Sequence, residues 1–146
     1  MSAQYSSKHG IVSKAPEELY MGFVDMRNFV QMAPPEYKDR MTADFDTLNV
    51  TVQGFSIGIR VIERAPYSRI VVSDNGAPFH FELAFLFDRT ADAGKTDFHI
   101  EAEANLNLMM KAMLGGKIKE ALDKVVDGLV MASNGQMPDL TKDFNL

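Results

Sequence analysis

The sequence predicts an α+β fold: a curved antiparallel sheet of about six or seven strands gripping a long C-terminal helix, with short helices after the first strand. Two observations carry this. Residues 47–106 contain successive runs in which apolar side chains recur at every second position. The turns between them are short, which implies antiparallel neighbours. Residues 107–133 then carry apolar side chains at the spacing of one long helix. A greasy sheet face and a greasy helix can cover one another.

Taken in order, Tyr5–Lys14 reads as a first strand of poor alternation. Pro16 suits the first turn of a helix, with Glu17 and Glu18 favourable beside its N-terminus. Leu19, Phe23, Met26 and Val30 continue at helical spacing, so Pro16–Met32 is one helix or two short ones. The prolines of APPEYKDR stop it. Leu48, Val50 and Val52 then alternate with polar residues, and Phe55, Ile57, Ile59 and Val61 follow on one face of the next strand. APYS turns the chain into RIVVS, and DNGAP turns it again, because Asn and Gly tolerate the positive φ of a tight turn. Phe79, Phe81, Leu83, Phe85 and Phe87 form an apolar ladder, and Phe98, Ile100, Ala102, Ala104 and Leu106 a second one. Asn105 or Asn107 can cap the helix that follows, and Asn134-Gly135 can end it.

That helix has two unlike halves. From Lys117 onward, Ile118, Leu122, Val125 and Leu129 form an apolar stripe opposite Lys117, Glu120, Lys124 and Asp127. From Leu106 to Leu114 only Asn107 and Lys111 are polar, so the sheet alone cannot cover that half. Gly115-Gly116 separates the halves and predicts a kink or a close helix–sheet approach.

The 146 residues form one domain over 1–134, and 135–146 is a polar tail. A hydrophobic share of 46% and a charged share of 24% are ordinary for a globular chain. A net charge of −5 without a Lys/Arg block leaves no nucleic-acid footprint. The absence of cysteine excludes disulfides, thiolate metal sites and Cys nucleophiles. MSAQYSSKHG has no apolar core of a signal peptide, and no run approaches the ~18 apolar residues of a membrane span. A cytoplasmic location is the expectation.

The order of elements resembles the helix-grip fold of the superfamily that holds Bet v 1-like proteins, START domains and polyketide cyclases (SRPBCC). The resemblance runs over about residues 5–134 and rests on APEELYMGFVDMRNF at the start of the first helix and on IRVIERAPYSRIVV at a strand turn. The Gly-rich loop of the plant allergen branch is missing, since Gly54 and Gly58 are isolated. The resemblance implies a hollow between sheet and long helix that takes a small apolar molecule. The candidate lining here is Phe55, Phe81, Phe85, Phe98, Met109, Met110, Met113 and Leu114, with Arg60 as a carboxylate anchor if its face turned inward. The bland alternative is that these side chains simply pack on each other.

The remaining polar residues give no recognisable catalytic set. His80, Glu82, His99, Glu101 and Glu103 share the outer side of the two long strands, as a solvated face would, and no metal or other cofactor is expected. Asp44 and Asp46 sit where a turn explains them, and His9 has no visible partner. No G-x-S-x-G, H-E-x-x-H or phosphate loop occurs. Inward faces that are nearly all apolar argue against a cyclase-like enzyme without deciding the matter. The expected function is therefore binding of an apolar ligand, as carrier or sensor. The alternative is a protein contact, including a homodimer, through the Leu106–Leu114 half.

Overall fold

The computed structural model of the chain describes residues 2–33, 35–52, 54–76 and 79–135, with Val52 and Phe55 described by backbone alone. The expected tail, past Gly135, and the DNGAP turn at Ala77 and Pro78 lie outside the described residues.

Strands β1 (Ser2–Ser6) and β2 (Gly10–Val12) replace the single first strand that the sequence suggests. Helices α1 (Pro16–Phe23) and α2 (Arg27–Met32) follow, then a single turn α3 (Pro35–Lys38) and a short strand β3 (Met41–Ala43) that alternation did not reveal. The meander runs through β4 (Thr47–Val52), β5 (Phe55–Ala65), β6 (Arg69–Asp74), β7 (Phe81–Arg89) and β8 (Thr96–Asn105). Helix α4 (Leu108–Ser133) completes the described chain. Asn107 caps it, its Oδ1 accepting from the Met110 N–H at 2.8 Å.

The eight described strands form one antiparallel sheet in the order β1-β8-β7-β6-β5-β4-β3, with β2 also on β8. Gly76, in the β6–β7 turn, has φ 91°, as its place after Asn75 requires. One irregularity matters for the site. The β5–β6 register shifts between Val61 and Glu63, so Val61 faces Val72 whereas Arg64 faces Ile70. This bulge at Ile62 reverses the parity of β5. Odd residues before it and even residues after it share the inner face.

The core lies on that inner face. Val12, Ile70, Val72, Phe87, Phe98 and Ile100 are buried against Leu19, Tyr20 and Phe23 of α1 and Leu122 and Val126 of α4. The two helices divide the sheet. Helix α4 packs on β1, β2 and β8, while α1 packs on β6 and β7. On β7, Phe23 of α1 meets Phe85 and Phe87 at 5.2 and 5.3 Å between ring centres, so α1 covers that part of the Phe ladder. Lys8 and Ser13 tie down the C-terminal half of α4. The Lys8 N–H donates to Asp123 Oδ1 at 2.6 Å, and the Ser13 N–H donates to Ser133 Oγ at 3.0 Å.

Candidate functional site

Along β4, β5 and β7 the inner face becomes more exposed toward one end, whereas Ala102 and Ala104 of β8 and Leu106 after it stay buried there. Along β7, Phe87 is buried while Phe85, Leu83 and Phe81 are half-buried. Along β5, Val61 and Ile59 are half-buried and Ile57 is 47% exposed. Along β4, Leu48 is buried and Val50 half-buried. All three gradients run toward the β4–β5 and β6–β7 turns. Helix α4 begins at that same end, because Ala104 pairs with Phe81 just before β8 finishes. Its first turns are half-covered as well. Met110 and Leu114 are half-buried, whereas Leu108, Met109 and Met113 are 78, 73 and 66% exposed. Spacings of three and four residues make Met109, Met110, Met113 and Leu114 one continuous patch on the helix.

The polar groups of the inner face are few. Arg64, brought inward by the bulge, donates to the Val24 carbonyl (Nε, 3.0 Å), the Phe45 carbonyl (Nη2, 2.9 Å) and Asp46 Oδ1 (Nη1, 2.8 Å). Its guanidinium also lies 4.1 Å over the Phe45 ring. Asp74 stands opposite Ile59 at the more exposed end. Its Oδ1 accepts from the Phe81 N–H at 3.1 Å and from His80 Nδ1 at 2.6 Å. The Phe81 N–H, then the His80 contact, hold this carboxyl below its ordinary value against the opposing effect of desolvation. Tyr5, opposite Ala102, has a buried hydroxyl with no hydrogen-bond partner among the described residues. That oxygen is 3.3 Å from where a Cβ on Gly115 would stand, so Gly115 marks a close approach of α4 to β1.

No sequence-family pattern and no curated protein matches the chain by sequence. Solved structures do match it in shape. A norcoclaurine synthase point mutant from Thalictrum flavum, in complex with a transition-state analogue, superposes with a TM-score of 0.72 over 92% of this chain and 96% of that one, at 9% identity. A solution structure from Thermobifida fusca gives 0.65 over 92% and 97%, at 10% identity. A START superfamily protein from Mycobacterium smegmatis gives 0.55 over 88% and 98%, at 16% identity. The chain has the helix-grip fold of the Bet v 1-like and START proteins. At these identities the likeness is one of fold.

Within the helix-grip frame the sequence-predicted residues separate. Phe81, Phe85, Met110 and Leu114 are half-buried, Phe85 against Phe23 of α1, and Met109 and Met113 are exposed. The Phe55 side chain lies outside the described residues. Two assignments need correction. Phe98 is fully buried, its ring centre 5.6 Å from that of Phe23 and 5.7 Å from that of Phe87. It is core packing, because α1 fills the space it was expected to line. Arg60 is exposed and faces Ser73 and Thr47 across the strands, on the outer side. It precedes the bulge, so its parity stays outward, and Arg64 is the inward arginine instead.

The outer face also differs from a uniformly solvated one. His99 is buried beneath His9, the rings stacked at 4.0 Å, and His9 Nδ1 meets Asp97 Oδ1 at 2.8 Å. Among the described residues no group of three or more His, Asp or Glu side chains is placed to hold a metal ion. Asp44 takes the turn role, accepting from the Asp46 and Thr47 N–H groups and from the Thr47 hydroxyl. No helix among the described residues is long and apolar enough to cross a membrane.

Proposed function

We propose that the chain is a cytoplasmic carrier or sensor of a small apolar molecule held between the more exposed end of the sheet and the first turns of α4. The observation that supports this reading is the coincidence of two uncovered apolar surfaces. The inner-face residues Ile57, Ile59, Leu83 and Phe81 lose their cover at the end of the sheet where Met110 and Leu114 begin the helix. A core closed on itself would have no such end, since side chains in packed interiors leave few voids. Methionine adapts its shape to irregular contents, and a pocket of apolar walls with few polar groups is the usual form of a small-molecule site.

The norcoclaurine synthase of similar fold is an enzyme by its name. The inward polar groups are largely occupied, which favours binding over catalysis. Arg64 spends its donors on Val24, Phe45 and Asp46, and Asp74 is engaged by Phe81 and His80.

Ile57→Glu and Met110→Glu test the reading. Both positions are incompletely buried, so neither variant should lose its cooperative unfolding. Affinity for the apolar dye anilinonaphthalene sulfonate is expected to fall at least about tenfold in each, through the penalty of a charge against an apolar ligand. Native mass spectrometry of protein from its own cells should show a co-purifying small molecule. Dye affinity equal to that of the parent in both variants would overturn the proposal.

A further inference from the structure

Two buried side-chain polar atoms have no hydrogen-bond partner among the described residues. His99 Nδ1 lies on the outer face, and the Tyr5 hydroxyl lies on the inner one. A buried hydroxyl left unpaired is costly, so what surrounds it matters. Tyr5 stands opposite Ala102, and Ala102 opposite Leu83. Tyr5 and the half-buried Leu83 thus share one inner row with only an alanine between them. Adjacent strands lie about 4.8 Å apart, so the two side chains start roughly 10 Å from each other. From α4 the near residue is Gly115, where a Cβ would stand 3.3 Å from the hydroxyl oxygen. Gly115 follows Leu114, one wall of the proposed hollow. Neither alanine nor glycine has a side-chain acceptor. The backbone carbonyls nearby serve the helix and the β1–β8 ladder.

We propose that the molecule held in the hollow is uncharged and carries an oxygen acceptor, a carbonyl or a hydroxyl, to which Tyr5 donates its hydroxyl proton. Tyr5 is then the residue that selects among apolar ligands, given the binding function proposed above. Charge excludes the acids. Arg64, the arginine of the inner face, already serves Val24, Phe45 and Asp46. A carboxylate or phosphate beside Tyr5 would be buried without a counter-charge. A plain hydrocarbon would leave the hydroxyl as unpaired as before. A neutral molecule with one oxygen meets both conditions, an apolar body for the walls and an acceptor for the single free donor.

Fluorenone and fluorene test this, because they share one flat apolar shape and differ by a carbonyl oxygen. In displacement of anilinonaphthalene sulfonate, the parent is expected to bind fluorenone at least about fivefold more tightly than fluorene, the gain of one buried hydrogen bond. Tyr5→Phe should bring the two affinities together, weakening fluorenone and leaving fluorene and the dye as in the parent. The carbonyl stretch of bound fluorenone should lie at lower frequency in the parent than in Tyr5→Phe, a difference that a packing role of the ring would not produce. Equal affinities in the parent, or a preference for fluorenone that survives in Tyr5→Phe, would overturn the proposal and leave the binding function standing. Equal weakening of both compounds in Tyr5→Phe would also overturn it, since the ring would then act by packing. If neither compound displaces the dye from the parent, the binding function itself fails, and the selection by Tyr5 with it.

Discussion

Replacing Gly10 by alanine places a methyl group in the seam between β2 and α4. The new Cβ would stand 2.6 Å from Val126 Cγ1 and 2.8 Å from Val130 Cγ2. Carbon atoms in contact settle at about 3.5–4.0 Å, so the overlap is roughly an ångström. Neither valine can swing aside easily, because β-branched side chains in a helix hold essentially one rotamer. Val126 is moreover fully buried. Helix or strand must move instead, and overpacking of this kind costs about 1–3 kcal/mol. Alanine restricts the unfolded chain and returns about 0.4–1 kcal/mol, since Gly10 is not among the glycines of positive φ. The net expectation is a loss of about 1–2 kcal/mol in urea unfolding followed by circular dichroism, with an unchanged denaturant slope. Val126→Ala should cost at least about 1 kcal/mol less in the Gly10→Ala background than alone, because it removes one of the clashing groups. A neutral Gly10→Ala, or strict additivity in the double variant, would refute this account of the seam.

Three further outcomes are expected. Arg64→Ala should destabilise by about 1.5 kcal/mol, the low end for charged hydrogen bonds because the side chain is 22% exposed. Arg64→Lys should recover little, as a single ammonium cannot reach Val24, Phe45 and Asp46 together; stability equal to the parent in either variant would contradict the anchoring role. The Lys8 N–H, then Lys119, hold the Asp123 carboxyl below its ordinary pKa against desolvation. A depressed folded value gives stability that is present above the unfolded value and lost as pH falls through the folded one, so Asp123→Asn should flatten the acid limb of a urea-midpoint profile. Coincident acid limbs would exclude it. Tyr5→Phe should leave stability unchanged or raise it by up to about 1 kcal/mol, because the buried hydroxyl has no partner among the described residues. A clear loss would mean that the hydroxyl is satisfied by a bound molecule.

Much of the fold was legible because the apolar residues keep strict periods. The five long strands of the meander and the capped start of α4 follow from alternation, turn residues and Asn107. β3 was hidden because three residues carry no usable period. The site was less legible for two reasons. Alternation cannot reveal the extra residue at Ile62, so it could not show that Arg64 turns inward while Arg60 stays outward. Nor can it say which helix covers which strand, and so Phe98 read as lining although Phe23 of α1 packs against it. Asp74 was within reach, since it continues the parity of Ile70 and Val72.

The pairing of β1 with β8 has a kinetic side. From β4 to β8 every strand joins the one that precedes it in the chain, so each hairpin closes a short loop. Ser2 instead pairs with Asn105, a closure across most of the described chain. Contacts of that span form slowly, because the loop entropy is lost before the contact repays it. During synthesis the meander can zip up hairpin by hairpin, while β1 and β2 wait for β8 to appear. Helix α4 packs on β1, β2 and β8, so it docks only after that wait. The docking of α4 is therefore the last step in forming the described fold. Until then the β8 edge stands open, and this is the interval in which the chain is most exposed to pairing with a neighbour.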